Sequence, residues 1–211
     1  MKYHQIFSLV LIAMSVIVFS VNGQKEYLDG MKEYRQKYIQ SVTNGNNTPL
    51  MPEDAGYMHF FKPDPKYALE CKVTLESQAK AFEMPTYSGL TRTYIKYATC
   101  ECKLGKSTFR PVLYKNLSQP QNPVYRNHLF LPFKDATNGA ESYGGGRYIN
   151  LDVNDIVNGK IIIDFNKAYN PYCAFSDGYN CPIPPKENHF KLAIKAGEKN
   201  YTGPIKKRKI D

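Results

Sequence analysis

Apolar and polar positions along the chain fall into three regimes. Residues 6–21 are almost wholly apolar. Residues 24–42 place Tyr27, Leu28, Met31, Tyr34, Tyr38 and Val42 at three- and four-residue spacing, the period of one helical face. That face is rich in tyrosine, which suits a half-wet packing surface, so the helix is expected to brace or cover the domain. Gly30 weakens it by about 1 kcal/mol relative to alanine, and NGNNTP at 44–49 stops it. From Tyr57 the period shortens. YMHFF, YALECKVTLES, KAFEMPTY, TYIKYATCECKL and TFRPVLYK are β-branched or aromatic runs, several of them alternating. A polar, proline-bearing loop at 116–127 follows, and then HLFLPF, RYINLD, KIIIDF and FKLAIKA. The segments LGKS and VNGK between runs read as tight hairpin turns. The pattern predicts one helix and eight or nine strands. Regular βαβ alternation is missing, which argues against a doubly wound sheet. The expected fold is mostly β: an antiparallel sandwich or partly open barrel with an N-terminal amphipathic helix.

The first apolar run changes the picture of where this domain works. Lys2, the run 6–21 and the small-residue site Val21-Asn22-Gly23 read together as an export leader cut before Gln24. The run is short against the roughly 20 residues of a bilayer span; retention as an anchor is the alternative. The expected organisation is a leader at 1–23, helix and linker at 24–48, one β-rich domain at 49–200 and a basic tail at 201–211. Without the leader about 188 of the 211 residues remain, enough for a real core. No later segment is long and apolar enough to span a membrane. The expected location is periplasmic or secreted, and the expected partner an unknown small molecule or envelope component.

The net charge of +9 is spread out except for KKRK at 206–209. A leader directs the chain away from the nucleus, so this run reads as a solvated tail rather than an import signal. No nucleic-acid-binding motif accompanies the charge, and a nucleic-acid partner is not expected. Sequons occur at Asn46, Asn116 and Asn200.

Five cysteines remain, at 71, 100, 102, 173 and 181. In an oxidising compartment Cys173 and Cys181 close a short loop and form the first expected disulfide. Cys100 and Cys102 share a strand face, and one of them can meet Cys71 on a neighbouring strand. The odd count leaves a thiol free or intermolecular. The spacings fit no standard zinc site.

Candidate chemistry concentrates between 129 and 199. In DATNGAESYGGGR, three glycines allow tight turns or close approach of a ligand. Arg147 after them can clamp a carboxylate or phosphate, with Asp135 and Glu141 near it in sequence. The plain reading is a bulged loop ordered by a Glu141–Arg147 pair. Ser142 sits in a poor imitation of a nucleophile elbow, whose following helix is missing from the pattern. In DFNKAYN, an extended strand would turn Asp164 and Asn166 to one face, with Tyr169 and Asn170 beyond. With Glu141 or Asp135 these oxygens are a candidate set for calcium or another hard cation; the plain reading is side-chain hydrogen bonding that ties irregular backbone. No other cofactor is expected. Cys173 as a nucleophile needs a base such as His128 or His189, and the disulfide with Cys181 is the better-founded reading.

The strings LPFKDATNGAESYGGGRYINL, IDFNKAYNPYCAFSDGYNCPIPPKEN and AGEK closely resemble the domain-of-unknown-function 1684 family, and FFKPDPKY looks like a further family segment. The resemblance covers roughly 34–199. Lys167 and His189 stand where arginines are common, and Ser142 where threonine is frequent. The resemblance implies no established activity. The leading expectation is therefore a non-catalytic binding or structural module with its polar surface around Arg147 and Asp164. The alternative is a hydrolase of an envelope polymer or small ester using Glu141 or Asp164 as acid or base. The hydrolase needs Glu141, Arg147 and Asp164 to converge in one open cleft; a structural role needs them buried and paired.

Overall fold

The computed structural model describes residues 2–45, 47–118 and 126–207, with side chains from residue 22 onward. The side chains of residues 1–21, on which most of the expected leader falls, Asn46, residues 119–125 of the expected polar loop and residues 208–211, with the end of the basic run, lie outside the described residues. Helix α1 (Lys2–Thr43) turns Tyr27, Leu28, Met31, Tyr34, Tyr38 and Val42 toward the domain, as the three- and four-residue spacing predicts. Gly30 lies on its exposed side. Among the described residues no helix is long and apolar enough to cross a membrane.

Among the described residues ten strands follow: β1 (Ala68–Leu75), β2 (Phe82–Pro85), β3 (Thr91–Leu104), β4 (Ser107–Phe109), β5 (Val112–Asn116), β6 (His128–Phe133), β7 (Arg147–Asp152), β8 (Lys160–Asp164), β9 (Ser176–Asp177) and β10 (Lys206–Lys207). The first eight form one antiparallel sheet in the order β7-β6-β5-β3-β1-β8, with β2 and β4 also paired to β3. The sheet curls into a half-barrel. Of the two architectures the alternation allows, the partly open barrel is the one that forms. Both expected hairpin turns are present. Gly105 has φ +58° between β3 and β4, and Asn158 and Gly159 have φ +51° and +70° before β8, the left-handed pair a type I′ turn requires.

The sheet carries side-chain clusters on both faces. The larger core holds Leu69, Cys71, Cys102, Leu113, Leu129, Leu131, Phe133, Ile149, Ile161 and Ile163; a second cluster holds Met84, Tyr94, Val112, Tyr114, Phe130 and Tyr148. Strand β3 serves both because its register against β5 shifts between Lys96 and Ala98. One extra residue reverses the alternation. Tyr94 therefore faces the second cluster, while Cys100 and Cys102, of the same parity, face the first.

Several sequence expectations are revised. FKLAIKA is not a strand: the N–H and C=O of Ile194 bond to the side chains of Asp135 and Arg147 instead of to a neighbouring strand. YMHFF contributes only a single bridge, Phe60 with Glu198. TFRPVLYK breaks at Arg110-Pro111 into β4 and β5, because proline has no N–H for the ladder. The start of the basic tail is not wholly solvated. Lys206 sits in β10 beside β9 and pairs with the buried Asp54 at 2.8 Å.

The disulfides are Cys173–Cys181 and Cys71–Cys102. Cys71 and Cys102 sit on the adjacent antiparallel strands β1 and β3, with Cα atoms 4.5 Å apart. Cys100 remains a buried free thiol, its pKa pushed up to about 12 by burial.

Candidate functional site

The glycine-rich motif builds a buried brace. Arg147, first residue of β7, is fully buried. Its Nη2 donates to Asp135 Oδ2 at 2.6 Å and to Ile194 O at 2.9 Å; its Nη1 donates to Ala196 O and to Glu198 O at 3.2 Å. Asp135 Oδ1 accepts from Thr137 N at 2.8 Å and Thr137 Oγ1 at 2.5 Å, and Ser142 lies 2.7 Å from that hydroxyl. The expected Glu141–Arg147 pair is corrected. Arg147 shares the inward face of β7 with Ile149, whereas Glu141 sits in the turn nearer the surface and pairs with Lys195 at 2.9 Å. Ser142 is fully buried, which removes it as an exposed nucleophile. Nor do the glycines admit a ligand at Gly146. With φ +100°, a Cβ there would lie 2.7 Å from Phe133 O and from Pro184, so the close approach is the chain's own.

The second motif anchors the helix. The strand ends at Asp164, and a 3₁₀ turn at Phe165–Lys167 follows, so Asp164 and Asn166 meet through a turn rather than as neighbours on a strand face. Asp164 Oδ1 accepts from Asn166 N and Nδ2, both at 3.0 Å, and its carboxylate accepts from Tyr27 OH of α1 at 3.0–3.1 Å. Asn166 Nδ2 also donates to Asp64 O at 2.9 Å. The cation set is not assembled: Asp135 is held by Arg147, Glu141 by Lys195 and Asp164 by Tyr27. Among the described residues no group of three His, Cys, Asp or Glu gathers that could hold a metal ion.

Asn170 leads to a residue the sequence reading quoted only inside AGEK. Its N–H donates to Oε2 of the fully buried Glu198 at 2.7 Å, and Tyr38 OH donates to the same oxygen at 2.8 Å. Among the described residues, Glu198 Oε1 and Asn170 Oδ1 have no partner. Burial pushes the Glu198 carboxyl up to about 8, against the opposing influence of its donors and Arg147.

Tyr38 and Tyr169 turn attention to the second face of the sheet, where the molecule opens a groove of about 600 Å³. One wall is α1, through Tyr34, Tyr38, Ser41 and Val42. The floor is the second face of β3, β5, β6 and β7: Arg92 and Tyr94, Asn116, His128 and Phe130, Tyr148 and Asn150. The far wall runs from Tyr169 to Pro182 and includes Tyr172, Tyr179 and Asn180. Its aromatic rings pack in a chain, Tyr94 on Phe130 at 5.8 Å, Phe130 against Tyr148 at 4.8 Å, Tyr148 against Tyr169 at 5.8 Å and Tyr169 against Tyr38 at 5.7 Å. Asn150 Oδ1 accepts from Tyr169 OH at 2.8 Å and lies 3.0 Å from His128 Nε2. Burial raises the Tyr38, Tyr148 and Tyr169 hydroxyls, so they stay protonated donors.

Of the ligand-binding candidates the sequence singled out, Tyr169 lines this groove; Asp135, Glu141, Arg147, Asp164, Asn166 and Asn170 do not. Cys181 lines it too, as half of the Cys173–Cys181 disulfide. His128 faces the groove beside Asn150 and His189 lies 2.9 Å from Pro184 O. The tyrosine stripe of α1 was the one visible signal of the groove.

A half-barrel with a braced core and an aromatic groove under a helix defines a β-rich module. The family model described as Protein of unknown function (DUF1684) matches residues 56–199, and the chain belongs to that family. A solution NMR structure of an uncharacterized protein of Haloarcula marismortui is 29% identical, with a TM-score of 0.65 over 87% of this chain and 99% of its own. No curated protein matches.

Proposed function

We propose that this protein is a non-catalytic ligand-binding module of an oxidising, extracytoplasmic compartment, and that its ligand lies in the tyrosine groove while the family motifs brace the fold. The groove carries the reading. Its volume falls within the 300–1,000 Å³ usual for small-molecule sites, and polar groups alternate with aromatic faces along it. Two disulfides support the compartment. Glu141 and Asp164, either of which the hydrolase alternative would use as acid or base, are each engaged elsewhere and neither lines the groove.

A thermal-shift screen of small metabolites and envelope fragments tests this, using the wild type and Ser41→Trp. Ser41 is an exposed residue of the α1 wall, and an indole there is expected to narrow the groove and obstruct a ligand. Compounds that bind in the groove raise the melting temperature of the wild type only. Compounds that stabilise both proteins equally count against the proposal.

A further inference from the structure

The groove is chemically lopsided. Among the described residues its lining carries a fixed cation, Arg92, together with His128, and no carboxylate. Strand register places these groups at one end. Tyr114 pairs with Phe130, and Asn116 and His128 each lie two residues farther out in the same direction on their antiparallel strands. Tyr94 pairs with Asn116, and Arg92 lies one more step beyond Tyr94 on the same face. Arg92 is half-buried and, among the described residues, makes no ion pair.

Nearby carboxylates are engaged. Asp152, level with His128, accepts from Asn154 N at 2.8 Å. Glu83 accepts from Thr93 Oγ1 at 2.7 Å. Toward the other end, Glu187 is held by Lys96 and Tyr114. A guanidinium left without a counter-ion beside aromatic walls is a site for a carboxylate or phosphate. Amides recur along the groove; Asn116, Asn150 and Asn180 already accept through Oδ1 from Ser118 N, Tyr169 OH and Ser88 Oγ, so their side-chain N–H groups are the donors that a ligand's oxygens, and not a purely apolar ring, can meet. A pyranose satisfies both demands: its C–H faces lie on tyrosine rings and its hydroxyls meet the amides.

Resting on the groove reading above, we infer that the ligand is an anionic saccharide, its ring on the tyrosines and its carboxylate or phosphate at Arg92. The test is an amide chemical-shift titration of the full chain with glucuronate, glucose 6-phosphate and neutral glucose, repeated on Arg92→Gln. At least one anion will shift the amides of Tyr94, Asn116, His128 and Asn150, about tenfold more tightly than glucose, and raising the salt will weaken it. Glucuronate alone identifies a sugar acid, glucose 6-phosphate alone a phosphosugar. R92Q will lose the tenfold preference and keep the wild-type melting curve. Equal binding of glucose, or an undiminished anion preference in R92Q, overturns the charge assignment and leaves the groove standing. Shifts centred outside the groove overturn both, and no shift from any of the three at millimolar concentration overturns the saccharide assignment.

Discussion

Replacing Glu198 by glutamine will remove most of the pH dependence of this protein's stability between mildly acidic and mildly alkaline conditions. Glu198 is fully buried, with two donors on Oε2 and, among the described residues, none on Oε1. Desolvation moves its pKa from 4.5 to about 8. The folded state therefore holds the proton more tightly than the unfolded chain. The stability this supplies is fully present below about pH 4.5, declines as pH rises, and is gone above about pH 8. Three and a half pH units at 1.36 kcal/mol each give about 5 kcal/mol as the scale of the loss. Glutamine keeps the shape and the Oε acceptor but has no titrating proton. Urea unfolding near pH 5, 7 and 9 measures the difference. Between pH 5 and 9, where most but not all of that loss falls, wild type will lose about 4 kcal/mol more than Glu198→Gln. Parallel pH profiles for the two proteins would refute the buried neutral acid.

Arg147→Ala leaves Asp135 buried without its cation and will cost about 3–5 kcal/mol by urea denaturation; an unchanged transition contradicts the brace. Gly146→Ala forces a Cβ into a left-handed position 2.7 Å from Phe133 O, and a drop in melting temperature equivalent to more than about 1 kcal/mol is expected; wild-type melting contradicts it. By loop-closure entropy, losing Cys71–Cys102 will cost about 4 kcal/mol and losing Cys173–Cys181 about 2.5 kcal/mol, because the first closes 31 residues and the second 8. Serine variants compared in urea give the ranking, and the reverse order contradicts it. Cys100 will resist maleimide in the native protein and take one label in urea, and rapid native labelling would contradict its burial.

The helix, most of the strands and both turns were legible because each is a local pattern. The Asn158-Gly159 turn needs only its own backbone, and the α1 face needs only its spacing. What escaped depends on distant partners. FKLAIKA has the composition of a strand, yet Asp135 and Arg147 satisfy Ile194 from about fifty residues and more away. The shift after Lys96 leaves no mark in composition, yet it decides that Tyr94 and Cys100 face opposite clusters. Arg147 had two carboxylates near it in sequence, and only the fold gives it Asp135 rather than Glu141. Beyond the tyrosine stripe of α1, the groove was illegible because its floor comes from four strands whose residues alone read as ordinary alternating positions, and because nothing local sets the 169–182 segment opposite α1. Family motifs drew attention to the polar residues that hold the irregular chain together, and away from the tyrosines they help to position.

Intermolecular nuclear Overhauser contacts from a bound ligand separate groove from brace most directly. A ligand in the groove will give contacts to the ring protons of Tyr94, Tyr148 and Tyr169 and to α1 between Tyr34 and Val42. Contacts centred instead on the turn carrying Asp135, Glu141 and Arg147 would contradict the groove assignment.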